Sequence, residues 1–268
     1  MKGTIYRTTK LLSRLAGILM LAATMMIGCK QNITTPQPAA YTVGKIVLAD
    51  KTLVEASNYS AIDTSNPPIA IICGTNKYGA ALGIALHTSG SGLTWAKDGS
   101  TGYTTKFEGI ICTASQTGSG AAQTATFTGD TDGSDNWDYI KRVDPIGSAD
   151  AATNYPAFNW VNTYNTTYAD KLGTARPAWY MPSLAELCEV YKNKDKINAS
   201  LRTIHDASGG SAYADESLET NSYWSSSQGS NYNGYAWRVY FNDGDMFYIS
   251  TMGTCSPSTS PTVIGSVV

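Results

Sequence analysis

The chain has 268 residues, a formal charge of −2, only 15% charged residues and 17 tyrosines. A mildly acidic chain with no Lys/Arg run lacks the basic footprint that nucleic acid demands. Two histidines, His87 and His205, and five cysteines with no C-x-x-C leave no grouping with zinc-ligand spacing.

Lys2, Arg7, Lys10 and Arg14 precede an apolar run over residues 15–27 that is shorter than the ~20 residues a bilayer span needs. It ends in Met26-Ile27-Gly28-Cys29, which has the form of a bacterial lipobox with Met in the usual place of Leu. The expectation is a signal segment over 1–28, removed before Cys29, with lipid on Cys29 holding the chain at the outer membrane, facing the cell exterior. An ordinary signal peptide cut near Gly28 is the alternative. Loss of this segment removes four basic and no acidic residues, leaving 15 basic against 21 acidic. Residues 29–40, polar and carrying Pro36 and Pro38, read as a flexible tether. Residues 41–268 suffice for one large domain and are short for two.

Along that domain, residues 44–54 predict two short strands about a turn at 49–51. The apolar runs 68–73 and 79–87 predict strands, 89–92 a turn, and the Thr/Ser/Gly-rich 99–134 loops with short strands. Phe158, Val161, Tyr164 and Tyr168 space a helix over 157–172. Ser183-Leu184-Ala185-Glu186 after Pro182 is a capping box, and starts a helix over 183–191 with Leu184, Leu187, Cys188 and Tyr191 inward. A turn or short helix follows through Ile197 and Leu201. Strands are expected over 222–226, 236–242 and 245–250, with a hairpin turn at Asn242-Asp243-Gly244-Asp245. The class is α+β, with two main helices, antiparallel strands and long loops. Cys73, Cys112 and Cys188 fall on apolar faces and read as buried thiols; a Cys73–Cys112 bridge is the alternative in an exported chain.

Residues 229–250 carry an unusual palette. The loop Gly229-Ser230-Asn231-Tyr232-Asn233-Gly234-Tyr235 is built of the types that antibody contact loops use, because Tyr gives amphipathic area at low entropy cost and Ser, Gly and Asn adapt their hydrogen bonds. In AWRVYFN, Trp237, Val239 and Phe241 alternate with Arg238, Tyr240 and Asn242, so one face is core and the other carries Arg238 and Tyr240, joined across the turn by Asp243, Asp245, Phe247 and Tyr248. From 229 to 268 there is no Lys, Glu or Gln, where the 22-in-200 frequency of residues 29–228 gives about four. AAC codons randomised only at adenine never yield those three types.

WYMPSLAEL (179–187), YWSSS (223–227) and AWRVYFNDG (236–244), in that order after GKIVLAD (44–50), resemble C-type-lectin-fold domains of the formylglycine-generating-enzyme type, and within them the variable proteins of diversity-generating retroelements. The resemblance covers about 41–250. It departs at the end, where PTVIGSVV stands in place of an Arg-bearing closing strand. It implies a fixed scaffold with hypervariable side chains. The expected contact residues are Ser230, Asn231, Tyr232, Asn233, Tyr235, Arg238, Tyr240, Asp243, Asp245, Phe247 and Tyr248, held by Trp224, Trp237, Val239 and Phe241. The variable segment would span about 229–268. The ligand would be a protein or glycan, bound by a monomer without cofactor or catalysis. Two alternatives stand beside this. One is a calcium-dependent carbohydrate lectin using Asp130, Asp132, Asp135 and Asp138. The other is an oxidising enzyme of the formylglycine-generating type, for which Cys255 has no evident partner.

Overall fold

The computed structural model describes residues 41–267 apart from 211, 219–221 and 251–258. The expected signal segment, Cys29, the tether and Cys255 lie outside the described residues.

Two sheets and four longer helices make the domain, which is α+β. The strands are β1 (Ile46–Leu48), β2 (Leu53–Val54), β3 (Pro68–Thr75), β4 (Ala81–Ala85), β5 (Ile111–Ala114), β6 (Phe127–Gly129), β7 (Ala178–Tyr180), β8 (Ser222–Gly229), β9 (Tyr235–Tyr240), β10 (Met246–Ser250), β11 (Thr259–Pro261) and β12 (Ile264–Ser266). The longer helices are α1 (Asn136–Val143), α2 (Pro156–Thr167), α3 (Leu184–Lys192) and α4 (Lys194–Ala207). One sheet runs β2-β1-β3-β4-β12-β7, all antiparallel. The other runs β10-β9-β8-β5-β6 and is mixed: β8 pairs antiparallel with β9 but parallel with both β5 and β11.

The first sheet is covered on both faces. Ile46, Ile71 and Ile84 point to a core shared with Leu184, Leu187 and Cys188 of α3 and Ile197, Leu201 and Ile204 of α4. Val47, Ile72 and Ala85 point to a second core with Tyr155, Phe158, Val161 and Tyr164 around α2. Burial on both sides is why β3 and β4 read as continuous apolar runs rather than alternating ones. Cys73, Cys112 and Cys188 are free thiols; the bridge between the first two does not form. Burial pushes the Cys112 thiol up to about 12, and Cys73 instead donates to the Leu82 carbonyl at 3.3 Å.

Several expectations are corrected. The helix expected over 157–172 ends at Thr167, and Tyr168 leaves it to stack on His87, with centroids 4.4 Å apart. The turn or short helix expected through Ile197 and Leu201 is a longer helix, the 14-residue α4. The 99–134 stretch holds the short strands expected there, β5 and β6, but also single-turn helices, and the unforeseen α1 follows it. The tight turn at 242–245 is a longer loop closed by Gly244 N–H to the Tyr240 carbonyl and Tyr240 N–H to the Asp245 carbonyl, each 2.9 Å; only Gly244 there has positive φ. The second sheet is mixed rather than antiparallel, and the helices number more than two.

Asp215 ties the loop after α4 to the end of β4: it accepts from Thr88 N–H at 2.7 Å and Thr88 Oγ1 at 2.9 Å, with His87 Nδ1 at 3.3 Å. Burial works against the ionised carboxylate, but the His87 and Thr88 hydrogen bonds outweigh it and hold its pKa below the ordinary value. A depressed folded-state pKa contributes stability above the unfolded value of about 3.9, and that contribution is lost as pH falls through the folded value. Asp215→Asn is therefore expected to cost about 1–3 kcal/mol at neutral pH, with the deficit against the parent shrinking below about pH 4. Urea unfolding across that pH range checks it; a pH-independent deficit contradicts the assignment.

Candidate functional site

The hairpin β9–β10 is placed by its neighbours. Trp237 donates its indole N–H to the Cys112 carbonyl at 2.9 Å, Phe241 packs edge-on against Tyr191 and Tyr223, and Met246 meets Cys188 at 3.6 Å. Trp224, Trp237, Val239 and Phe241 are all buried, as expected for holders of the site. Glycine is obligatory twice. Gly234 has φ +64 and any β-carbon would collide with the Tyr103 carbonyl; Gly244 has φ +77 and lies against the Tyr191 ring.

All eleven candidate contact residues reach solvent, wholly or in part: Asn231, Tyr232, Asn233, Asp243 and Phe247 are exposed, and Ser230, Tyr235, Arg238, Tyr240, Asp245 and Tyr248 are half-exposed. They do not form one surface. Across the hairpin, Trp237 pairs with Tyr248, Val239 with Met246 and Arg238 with Phe247. Directly opposed residues share a face, and consecutive residues point to opposite ones.

Tyr248 therefore stands on the Trp237 face, its ring edge-on to the indole at 4.8 Å. There it gathers Tyr232 and Tyr235, with centroids 6.1 and 6.3 Å from its own and 5.0 Å between the other two. Asn231 donates to the Tyr248 hydroxyl at 2.7 Å, and Lys106 Nζ holds the Ser230 carbonyl at 2.7 Å.

On the opposite face stand Arg238, Tyr240 and Phe247. The Arg238 guanidinium lies 4.6 Å from the Tyr240 ring centroid, and Tyr240 meets Phe247 edge-on at 6.3 Å. Arg238 reaches Thr259 Oγ1 at 3.3 Å, while its buried Nε has no partner. Asp243 and Asp245 sit at the turn between the faces. Asp245 accepts from Gly120 N–H at 3.0 Å and Asp243 from Asp245 N–H at 3.0 Å, so both brace the loop.

The acidic segment 130–138 has other work. Asp130 accepts from Asn136 and Ser227, at 2.7 and 2.9 Å. Asp132 caps the turn at Ser134 N–H and pairs with Lys77 at 3.0 Å, and Asp138 pairs with Lys141 at 2.6 Å. The carboxylates of Asp130, Asp132 and Asp138 thus face different donors. Among the described residues no group of three or more His, Cys, Asp or Glu converges as a metal site would require.

No family model and no curated protein matches the chain. Its fold is similar to that of a fimbrial protein from Bacteroides ovatus solved at 1.85 Å, with a TM-score of 0.52 and 16% identity over 84% of this chain and 48% of that one. The chain thus spans about half the length of that protein, and at this identity the likeness is one of fold. No helix of the described residues is long and apolar enough to cross a membrane.

The division between tips and holders has a measurable consequence. Tyr232→Ala and Asn233→Ala are each expected to change stability by no more than about 0.5 kcal/mol, whereas Trp237→Ala costs about 3–5 kcal/mol. Gly234→Ala costs at least ~1–3 kcal/mol through backbone strain alone. Denaturant titration of the four variants tests this ordering; tips as costly as Trp237 would contradict it.

Proposed function

We propose that this chain is a lipid-anchored cell-surface protein that binds a ligand through side chains carried on the β9–β10 hairpin and the loop before it, and that a diversity-generating retroelement varies those side chains. The fold is read as C-type lectin-like, of the formylglycine-generating-enzyme type. The three motifs of that resemblance support this by meeting in space: Ser226 N–H of β8 donates to the Pro182 carbonyl at 2.7 Å, Leu184 N–H to Ser227 Oγ at 3.1 Å, and β8 ladders with β9.

The observation that carries the functional reading is the interleaving on one hairpin. Every residue in the expected contact set reaches solvent, and every holder between them is buried. Side chains of the first kind change without opening the core, so recognition evolves at little cost in stability.

Because the tips divide between two faces, each face is a recognition surface of its own. The Tyr232–Tyr235–Tyr248 cluster with Asn231 is the larger, offering three aromatic bodies with hydroxyl and amide rims, which suits a protein or glycan. The Arg238–Tyr240–Phe247 face is smaller and cationic. The protein acts as a monomeric binder held to the outer membrane by lipid on Cys29, with no cofactor and no chemical step.

The test is a display library of the full chain, randomised at the eleven positions. Most members are expected to unfold cooperatively with stabilities within about 1–2 kcal/mol of the parent, and selections on unrelated ligands to enrich different side chains there. Collapse of folding in most members, or selected binders whose substitutions lie elsewhere, would overturn the reading. In the genome, a template copy of the 3′ end with AAC codons at these positions, beside a reverse transcriptase, is the matching expectation.

A further inference from the structure

A hollow on the α1–α2–β7 side of the domain is lined by none of the residues discussed as contacts. It has a volume of about 240 Å³. Gly133, Phe158, Val161 and Met181, all buried, line its inner part. Trp137 and Trp179, each half-buried, contribute ring surface to its walls. Four exposed polar residues stand at its mouth: Ser134, Asp138, Lys141 and Asn162.

The elements fix this arrangement. Trp137, Asp138 and Lys141 come from successive turns of α1, and Trp137 stacks on Phe158 of α2 with centroids 5.1 Å apart and planes 19° from parallel. Gly133 has no room for a β-carbon against Met181 and Ser183, so the loop is pinned to the segment between β7 and α3. The cavity is thus built by packing and not by a loop lying open.

We infer that this cavity is a binding site for a single neutral sugar ring, and this does not rest on the hairpin reading. The size is below the ~300–1,000 Å³ of sites for drug-sized ligands, so one ring fills it. Indole surface takes the C–H face of a pyranose, and amide, hydroxyl, carboxylate and ammonium groups at the rim both accept from and donate to ring hydroxyls.

Charge decides between sugar and ion. Asp138 and Lys141 are already paired at 2.6 Å, with side chains 62% and 49% exposed. An anion or cation entering would meet a neutralised pair and gain little net attraction, whereas a hydroxyl bridges both members. The Trp179 indole N–H is buried without a partner, so a turn of that ring toward a ligand oxygen would satisfy an uncompensated donor.

The experiment is saturation-transfer NMR on the full chain. The probes are the methyl pyranosides of glucose, galactose, mannose and N-acetylglucosamine at up to about 50 mM, with acetate and methylammonium as charged controls. At least one glycoside is expected to receive saturation. Its affinity is expected to fall about tenfold or more in Asp138→Ala and in Asn162→Ala, and to stay unchanged in Tyr232→Ala. Both rim positions are exposed, and circular dichroism confirms that the variants stay folded. Absence of transfer to all four glycosides overturns the inference. So do equal binding by the rim variants, tighter binding of acetate or methylammonium, or loss on Tyr232→Ala, which would move the sugar to the hairpin. Failure here leaves the library experiment on the hairpin untouched, so the two readings fall separately.

Discussion

The rest of the domain depends on one constraint: β8 is a strand of polar residues with no exposure, and each of its polar groups must find a partner inside the protein. Ser225, Ser226, Ser227 and Gln228 are all at or below 1% exposure. An unpaired buried amide or hydroxyl costs on the order of 1–3 kcal/mol, so this stretch would be untenable without its network. The partners come from every layer. Trp95 Nε1 donates to the Ser225 carbonyl, Asn136 Nδ2 to Ser226 Oγ, and Leu184 N–H to Ser227 Oγ. Phe107 N–H donates to Gln228 Oε1 at 2.6 Å, and Gln228 Nε2 to the Thr105 carbonyl. The register with β9 breaks between Trp224 and Gln228, which frees the Ser225 carbonyl for Trp95 and the Ser226 N–H for the Pro182 carbonyl. One strand thereby ties the 105–107 loop, the 130–136 loop, the start of α3 and the hairpin into one body.

Glu186 performs the same service one layer away. Its carboxylate closes the capping box at Ser183 and also accepts from Gly133 N–H at 2.9 Å and Tyr180 OH at 2.9 Å. Burial is the largest influence on it and raises its pKa, while those four donors pull the other way. Asp130 is in the same position: burial raises its pKa against the hydrogen bonds from Asn136 and Ser227. The acidic 130–138 segment is consequently a set of struts. Asp130, Asp132 and Asp138, three of the four carboxylates weighed as calcium ligands, are each turned to a separate protein donor.

How much of this was legible follows from how local each signal is. The α3 start was, because its capping box and buried stripe lie within nine residues. The holders Trp237, Val239 and Phe241 were, because a single strand fixes their alternation. Helix α1 was not: in NWDYIKRV only Ile140 is a fully buried apolar residue, and the Asp-rich approach resembles a loop. Helix α4 was legible in part. Ile197, Leu201 and Ile204 keep helical spacing, but the polar residues between them hid a helix that starts directly from Asn193, where α3 ends. Strands β11 (Thr-Ser-Pro) and β12 (Ile-Gly-Ser) are three residues each and exist through distant partners: β11 pairs with β8, and β12 lies between β4 and β7. Placing Tyr248 with Phe247 on one surface carried the alternation across a turn without its register, and neighbours in a strand cannot share a face.

That register also gives the hairpin two unlike sides. On the Trp237 face the tyrosines rest on a platform committed to the core, and their rings lean on one another, so each is positioned by its neighbours. On the other face Arg238 is opposed by Trp224 on β8 and Phe247 on β10, and its guanidinium lies over Tyr240. Stacking on an aromatic holds an arginine in place at low energetic cost while leaving its in-plane donors directional. The two glycines at the hairpin's ends, against Tyr103 and Tyr191, fix where the chain enters and turns. Entry, turn and buried row are thus all determined from outside the hairpin, and of its exposed and half-exposed positions Asp243 and Asp245 alone are tied to the loop by their carboxylates.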